Sequence, residues 1–264
     1  MNSDADPAEI IMLGGFVNDV VRVGNEVRRP RGPWTPAVHA LLHHLERVGF
    51  AESPRVLGID AQGRERLSFI EGTRVGWSDG PEVMRAGDGL AQLGDLLRRY
   101  HEAVRGFTTP EGAVWRNPLA PRAGELIRHG DFSPFNIIWR ESKVVGVIDW
   151  DFAQPGDPLS DLAYLAWYSV PLMPDDRVDG FGLGPIDRSQ RLRALCSAYG
   201  EHVPDAVVEE TLKLITTERK QTAELARRGI HPWTRFASDG NLERFDVEAD
   251  WIRQNRLRLR RPDA

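Results

Sequence analysis

Asp131 and Asn136 stand five residues apart in a loop that also holds Pro134, and Asp149 follows thirteen residues later, just past the apolar run Val144 to Ile148. A carboxylate in such a loop can take a proton from a hydroxyl, and a nearby amide oxygen can coordinate a hard cation. A second carboxylate at a strand end can be presented to the same cation. Oxygen-only ligands suit Mg2+, which keeps waters and bridges phosphate oxygens. Base, cation ligands and a cradle for phosphates are together the inventory for phosphoryl transfer. For each residue alone the plainer role is a helix cap or an Asx turn.

Elements must hold these residues in place. Residues 10–30 read as strand, turn and strand, broken by Gly14-Gly15 and again by Gly24-Asn25. From Thr35 to Val48 the period changes: Val38, Leu41, Leu42 and Leu45 recur as one face of a helix, with Thr35 as N-cap, Pro36 at the first position and Gly49 as the stop. Residues 55–60 and 66–70 read as two further strands, so residues 10–72 give β-β-β-α-β-β. Glu71-Gly72 divides this unit, 1–72, from the remainder, 73–264. Beyond it helices dominate. Leu90, Leu93, Leu97, Tyr100 and Val104 mark one of about four turns, and 160–170, 188–200, 204–228 and 241–258 read as others. Residues 126–153 form an island of short strands, a polar loop and a hairpin.

Composition narrows the classes. In 264 residues, 41% hydrophobic and 28% charged side chains are ordinary for a folded soluble protein. A net charge of −5 argues against nucleic acid as a partner. The single Cys196 builds neither an internal disulfide nor a cysteine-rich zinc site and reads as a small buried residue. With no apolar run of membrane-spanning length and no signal-peptide pattern at the start, a cytoplasmic protein without membrane contact is expected.

The spacing His129-Gly130-Asp131 to Asn136 matches the kinase catalytic loop, His-x-Asp-x4-Asn, with a metal-binding Asp further on. Together with Ile148-Asp149-Trp150 and Gly156-Asp157-Pro158-Leu159-Ser160-Asp161-Leu162-Ala163, the sequence resembles the aminoglycoside phosphotransferase family over most of its length. The resemblance implies an α+β, protein-kinase-like fold in two lobes. The N-lobe would be a small antiparallel sheet with one helix, and the C-lobe larger and mainly helical. It implies Mg2+ and ATP or GTP, with a small-molecule hydroxyl as acceptor. Asp131 would be the catalytic base, Asn136 and Asp149 the metal ligands, and His129 and Asp161 the supports of the catalytic loop. Asp157 would be a turn residue. Asp151 would either sit behind the metal or be a plain loop carboxylate.

For the nucleotide, the resemblance points to Gly14, Gly15 and Asn18 over the phosphates, Phe69 and Glu71 at the hinge where adenine binds, and a basic residue in the strand before the helix. Here that residue is Arg28 or Arg29 instead of Lys, and with Val27 turned inward the choice falls on Arg28. The helix should also supply a Glu partner for this cation. Its early face has none, and His39 either stands in its place or is an ordinary helix histidine. These departures motivate a rival reading: a non-catalytic nucleotide-binding or immunity-type protein on a degenerate kinase-like scaffold. For the acceptor, Trp233 and Trp251 are candidate pocket residues. A polycationic ligand would want acids such as Glu209, Glu210, Asp239, Glu243, Asp246, Glu248 and Asp250, although these are interleaved with bases.

Overall fold

Alternating residues between positions 10 and 68 build one antiparallel sheet. The computed structural model describes residues 9–12, 20–75, 84, 88–121, 123–178, 183, 185–200 and 203–260. Gly14, Gly15 and Asn18 therefore lie outside the described residues. Strands β1 (Ile10–Ile11), β2 (Val21–Val23), β3 (Glu26–Arg29), β4 (Val56–Ile59) and β5 (Glu65–Ser68) stand in the order β1-β2-β3-β5-β4. The register sets Val27 opposite Leu67, Arg28 opposite Arg66 and Arg29 opposite Glu65. Because side chains alternate along a strand, Arg29 shares the face of Val27, and Arg28 turns to the other.

Helix α1 (Thr35–Arg47) packs Val38, Leu41, Leu42 and Leu45, each at most 1% exposed. The N-cap is Trp34, one residue earlier than expected, and the Thr35 hydroxyl instead accepts from the Gly32 amide at 3.0 Å. The helix ends at Gly49, where the Phe50 amide returns to the Leu45 carbonyl.

After the sheet the chain runs through β6 (Thr73–Arg74), which joins the hairpin of β8 (Ile137–Arg140) and β9 (Lys143–Val147). Helix α2 (Asp88–Val104) is central to the core. Leu90, Leu93, Leu96 and Leu97 are fully buried, each worth about 1.5–3 kcal/mol of burial. Helix α5 (Arg188–Tyr199) lies against it so closely that a Cβ on Gly94 would stand 2.8 Å from Ala198 Cβ. The other helices are α3 (Pro158–Ser169), the short α4 (Asp175–Val178), α6 (Pro204–Arg227), α7 (Trp233–Ser238) and α8 (Asn241–Arg260). The long helices fall where the periodicity placed them. Short α4 and α7, with β6 and β10 (Gln154–Gly156), carry too few periodic residues to be read from sequence.

Strand β10 pairs antiparallel with β7 (Leu126–Arg128), Gln154 opposite Arg128. This pairing clamps the segment after Asp149 to the strand that leads into His129. The architecture is a protein-kinase-like α+β fold, with a small antiparallel sheet carrying one helix and a mainly helical remainder.

Candidate active site

The loop between β7 and β8 takes its shape from a buried carboxylate. Asp161, on α3 and fully buried, accepts from the His129 amide at 2.7 Å and the Gly130 amide at 3.0 Å. His101 Nε2 lies 3.3 Å from the same carboxylate, and His101 Nδ1 is 2.8 Å from the Tyr199 hydroxyl. Burial acts to raise the Asp161 carboxyl, but the His101 hydrogen bond and nearby cations outweigh it and hold it below the usual range. Asp157 caps α3, accepting from the Leu159 amide at 2.8 Å.

His129 is also fully buried. Its Nε2 donates to the Ile148 carbonyl at 3.1 Å, and its Nδ1 accepts from the Asp131 amide at 3.2 Å. Both partners require the neutral ring, and burial pushes its pKa down to about 4. Gly130 has φ +80°, and a Cβ there would stand 2.0 Å from the Phe152 carbonyl oxygen. Only glycine fits this turn.

The loop delivers Asp131 into a cavity of about 610 Å3 that Asn136 and Asp149 also line. Asn136 Nδ2 donates to the Asp131 carboxylate at 2.9 Å and to its carbonyl at 3.0 Å. Tyr164, on α3, acts on the same carboxylate and lowers its pKa. Burial and the neighbouring Asp149 charge nevertheless raise Asp131 to about 7. That value suits a group exchanging a proton near neutral pH.

Asp149 sits at φ +65° with its side chain 42% exposed. A non-glycine residue in this left-handed region costs about 1 kcal/mol, and here the turn aims the carboxylate at the cavity. The amide of Asn136 is spent on Asp131, so its Oδ1, which has no hydrogen bond among the described residues, remains for a cation. Among the described residues no three His, Cys, Asp or Glu cluster to hold a metal. Two protein oxygens with water and phosphate completing the shell nevertheless suit Mg2+.

Of the two arginines of β3, Arg29 is the one that stands beside Asp149. Arg29, 7% exposed, lies 2.6 Å from Glu65, 2.7 Å from Asp151 and 3.5 Å from Asp149. Arg28 faces Glu26 at 3.6 Å on the opposite side of the strand. The acid partner comes from β5 through the register, and His39 of α1 reaches the same Glu65 at 2.8 Å. Asp151 is neither a solvated carboxylate nor at the cavity wall. Buried, it joins Arg29 to Arg116, which donates to it at 2.5 Å. The Arg116 guanidinium lies 4.4 Å from the Trp34 ring centre and 5.2 Å from that of Phe152. The Phe69 amide is used by the Asn25 carbonyl, Arg22 stacks on the Phe69 ring at 3.7 Å, and the Glu71 carbonyl accepts from Arg140.

Trp233 lines the cavity, whereas Trp251 packs against Arg188 at 4.8 Å. Of the expected acids only Asp239 reaches the cavity wall. Sequence reasoning passed over Arg116, Glu65, Tyr164, Gln154 and Glu218. Tyr164 was within reach, one helical turn after Asp161 on the same face. Arg116 lies in an irregular stretch with no periodic signal.

Comparison with known proteins follows the same lines. A profile of the phosphotransferase enzyme family matches residues 111–195, which span the loop and both carboxylates. The trifolitoxin immunity protein of Rhizobium leguminosarum bv. trifolii is 40% identical over 201 residues, 73% of this chain and 74% of that protein. The chain belongs to the phosphotransferase enzyme family. Among solved structures, an ADP-bound aminoglycoside phosphotransferase APH(2'')-Ib superposes with TM-score 0.60 at 14% identity, covering 94% of this chain and 95% of that one. A choline/ethanolamine kinase family protein from Mesorhizobium loti superposes with TM-score 0.57 at 18% identity, covering 96% and 94%. At such identities these structures speak for the fold. No described helix is long and apolar enough to cross a membrane.

Proposed function

We propose that this chain is a Mg2+-dependent phosphotransferase that moves the γ-phosphoryl of ATP or GTP to a hydroxyl of a small molecule. The observation that carries the reading is the convergence of Asp131, Asn136 and Asp149 on one cavity, on a loop held by the buried Asp161. Asp131 receives or orients the acceptor hydroxyl proton. Asn136 holds the Asp131 carboxylate in place through its amide and offers its oxygen to the cation. Asp149 supplies the second oxygen. When bound, Mg2+ neutralises charge on the phosphate oxygens. Arg29 steadies the phosphates after releasing Asp149, its longest and weakest contact at 3.5 Å. Gly14, Gly15 and Asn18 would cover the phosphates, and Phe69 with Glu71 would flank the adenine.

The test is ADP and GDP release with Mg2+ against a panel of hydroxyl acceptors, with Asp131→Asn as control. Acceptor-dependent release that the variant loses is the expected result. Equal release by both proteins would overturn the assignment of Asp131.

One observation favours a second reading. Arg29 already pairs with the carboxylate that a cation would need, and it is an Arg where the kinase-like resemblance leads one to expect Lys. A non-catalytic, immunity-type protein would keep this pairing, and the name of the 40%-identical relative points the same way. Thermal shift with nucleotide, with and without Mg2+, separates the two. Run beside the turnover assay, Mg2+-dependent stabilisation with acceptor-dependent release supports the enzyme, and stabilisation without release, or none at all, supports the scaffold.

A further inference from the structure

The cavity extends from Asp131 between α3, α6, α7 and the start of α8. About 610 Å3 is ample for a small ligand. Its wall is aromatic. Phe152 and Trp233 meet edge to face at 6.1 Å, Phe135 and Tyr168 at 5.7 Å, and Phe236 adds a further ring from α7. Such rings favour a planar apolar body stacked or set edge-on between them.

Most charges around this wall are already matched. Arg235 pairs with Asp239 at 3.4 Å, and Arg244 reaches the Tyr168 hydroxyl at 3.4 Å and Glu248 at 3.9 Å. Asp131 and Asp149 belong to the chemistry. Arg74 lies on the Asp149 side and acts on that carboxylate. Glu218 of α6 remains, with no hydrogen bond or ion pair among the described residues. It stands near enough to Asp131 for its charge to be felt there, and burial pushes its own carboxyl up against a partial offset from Arg128. Gln154 of β10 also lines the cavity. It is 5% exposed, and its buried Oε1 has no partner. An unpaired buried acceptor is costly, and a donor on a ligand would recover that cost.

We propose that the acceptor taken by this site is a hydroxyl compound with a single cationic or N–H donor centre and a planar apolar body, not a polycationic sugar. Glu218 and Gln154 receive the donor, and Phe152, Trp233 and Phe236 hold the body. A polycation needs several unpaired carboxylates, and beyond the reacting pair the lining residues described here leave Glu218. The inference rests on the phosphotransferase reading above, since it assigns the acceptor side of the same cavity.

Isothermal titration of the full chain with phenylalaninol, 3-phenylpropan-1-ol, ethanolamine and kanamycin tests it. Phenylalaninol, which joins ring, amine and hydroxyl, is expected to bind most tightly, at least about tenfold better than kanamycin. Phe236→Ala is expected to weaken phenylalaninol about threefold to tenfold and to leave ethanolamine unchanged. Glu218→Gln is expected to erase the preference for phenylalaninol over its amine-free analogue, with thermal unfolding confirming that both variants fold. Tighter binding of kanamycin, indifference of phenylalaninol to Phe236→Ala, or no phenylalaninol binding at millimolar concentration overturns the proposal. ADP release keeps the two readings apart. Binding in the expected order without any release overturns phosphoryl transfer and leaves the ligand class standing. Release with kanamycin and none with phenylalaninol overturns the ligand class and leaves transfer standing.

Discussion

Replacing Asp131 by Asn should make the protein more stable as well as inactive, and only above a definite pH. Burial and the Asp149 charge raise Asp131 from 3.8 to about 7. The native state therefore binds a proton between those values that the unfolded chain has released. The stability this group contributes is fully present below pH 3.8 and is lost as pH rises through about 7. About three pKa units at 1.36 kcal/mol each set an upper limit near 4 kcal/mol. Partial exposure of the side chain reduces this to about 2–3 kcal/mol. An amide of the same shape carries no charge at any pH and can still accept from the Asn136 amide. Urea unfolding of both proteins at pH 4.5 and pH 8, in chelator so that no cation pairs with the site, measures the difference. The Asn variant should gain about 2–3 kcal/mol on the wild type between the two pH values. A constant difference, or one that shrinks with rising pH, would refute the claim that this carboxylate is held at an electrostatic cost for catalysis.

Three further outcomes follow from the same geometry. Asp161→Ala strands the buried His129 and Gly130 amides and removes the carboxylate partner of His101, so the midpoint of thermal unfolding should fall by an amount matching about 3–5 kcal/mol. Gly130→Ala forces a Cβ to 2.0 Å from the Phe152 carbonyl at a left-handed φ, and should lower both stability and ADP release; calorimetry beside the turnover assay checks this. Arg29→Met leaves Glu65 without its arginine and takes one arginine from Asp151, and should cost about 3–5 kcal/mol in denaturant titration. Arg29→Lys should recover only part, because a point charge cannot reach three carboxylates as a planar guanidinium does.

The candidate site was legible in the sequence because it is local. Asp131, Asn136 and Asp149 sit on one loop and one hairpin, so their spacing along the chain already limits their spacing in space. The long helices were legible for a similar reason: a stripe such as Leu90, Leu93 and Leu97 is a property of neighbouring residues. What the sequence left open depends on strand register and on contacts between distant segments. Choosing between Arg28 and Arg29 required knowing that β3 pairs with β5 so that Arg29 faces Glu65. The acid partner of that arginine was sought on α1 and lies on β5, 36 positions along the chain from it. Arg116 earns its place through Asp151, and Glu218 through its position beside Asp131; neither carries a mark in its own neighbourhood. Local sequence thus determined which groups form the candidate site. Tertiary packing decided which charges surround them, because a pairing between residues far apart in the chain exists only once the elements that carry them have docked.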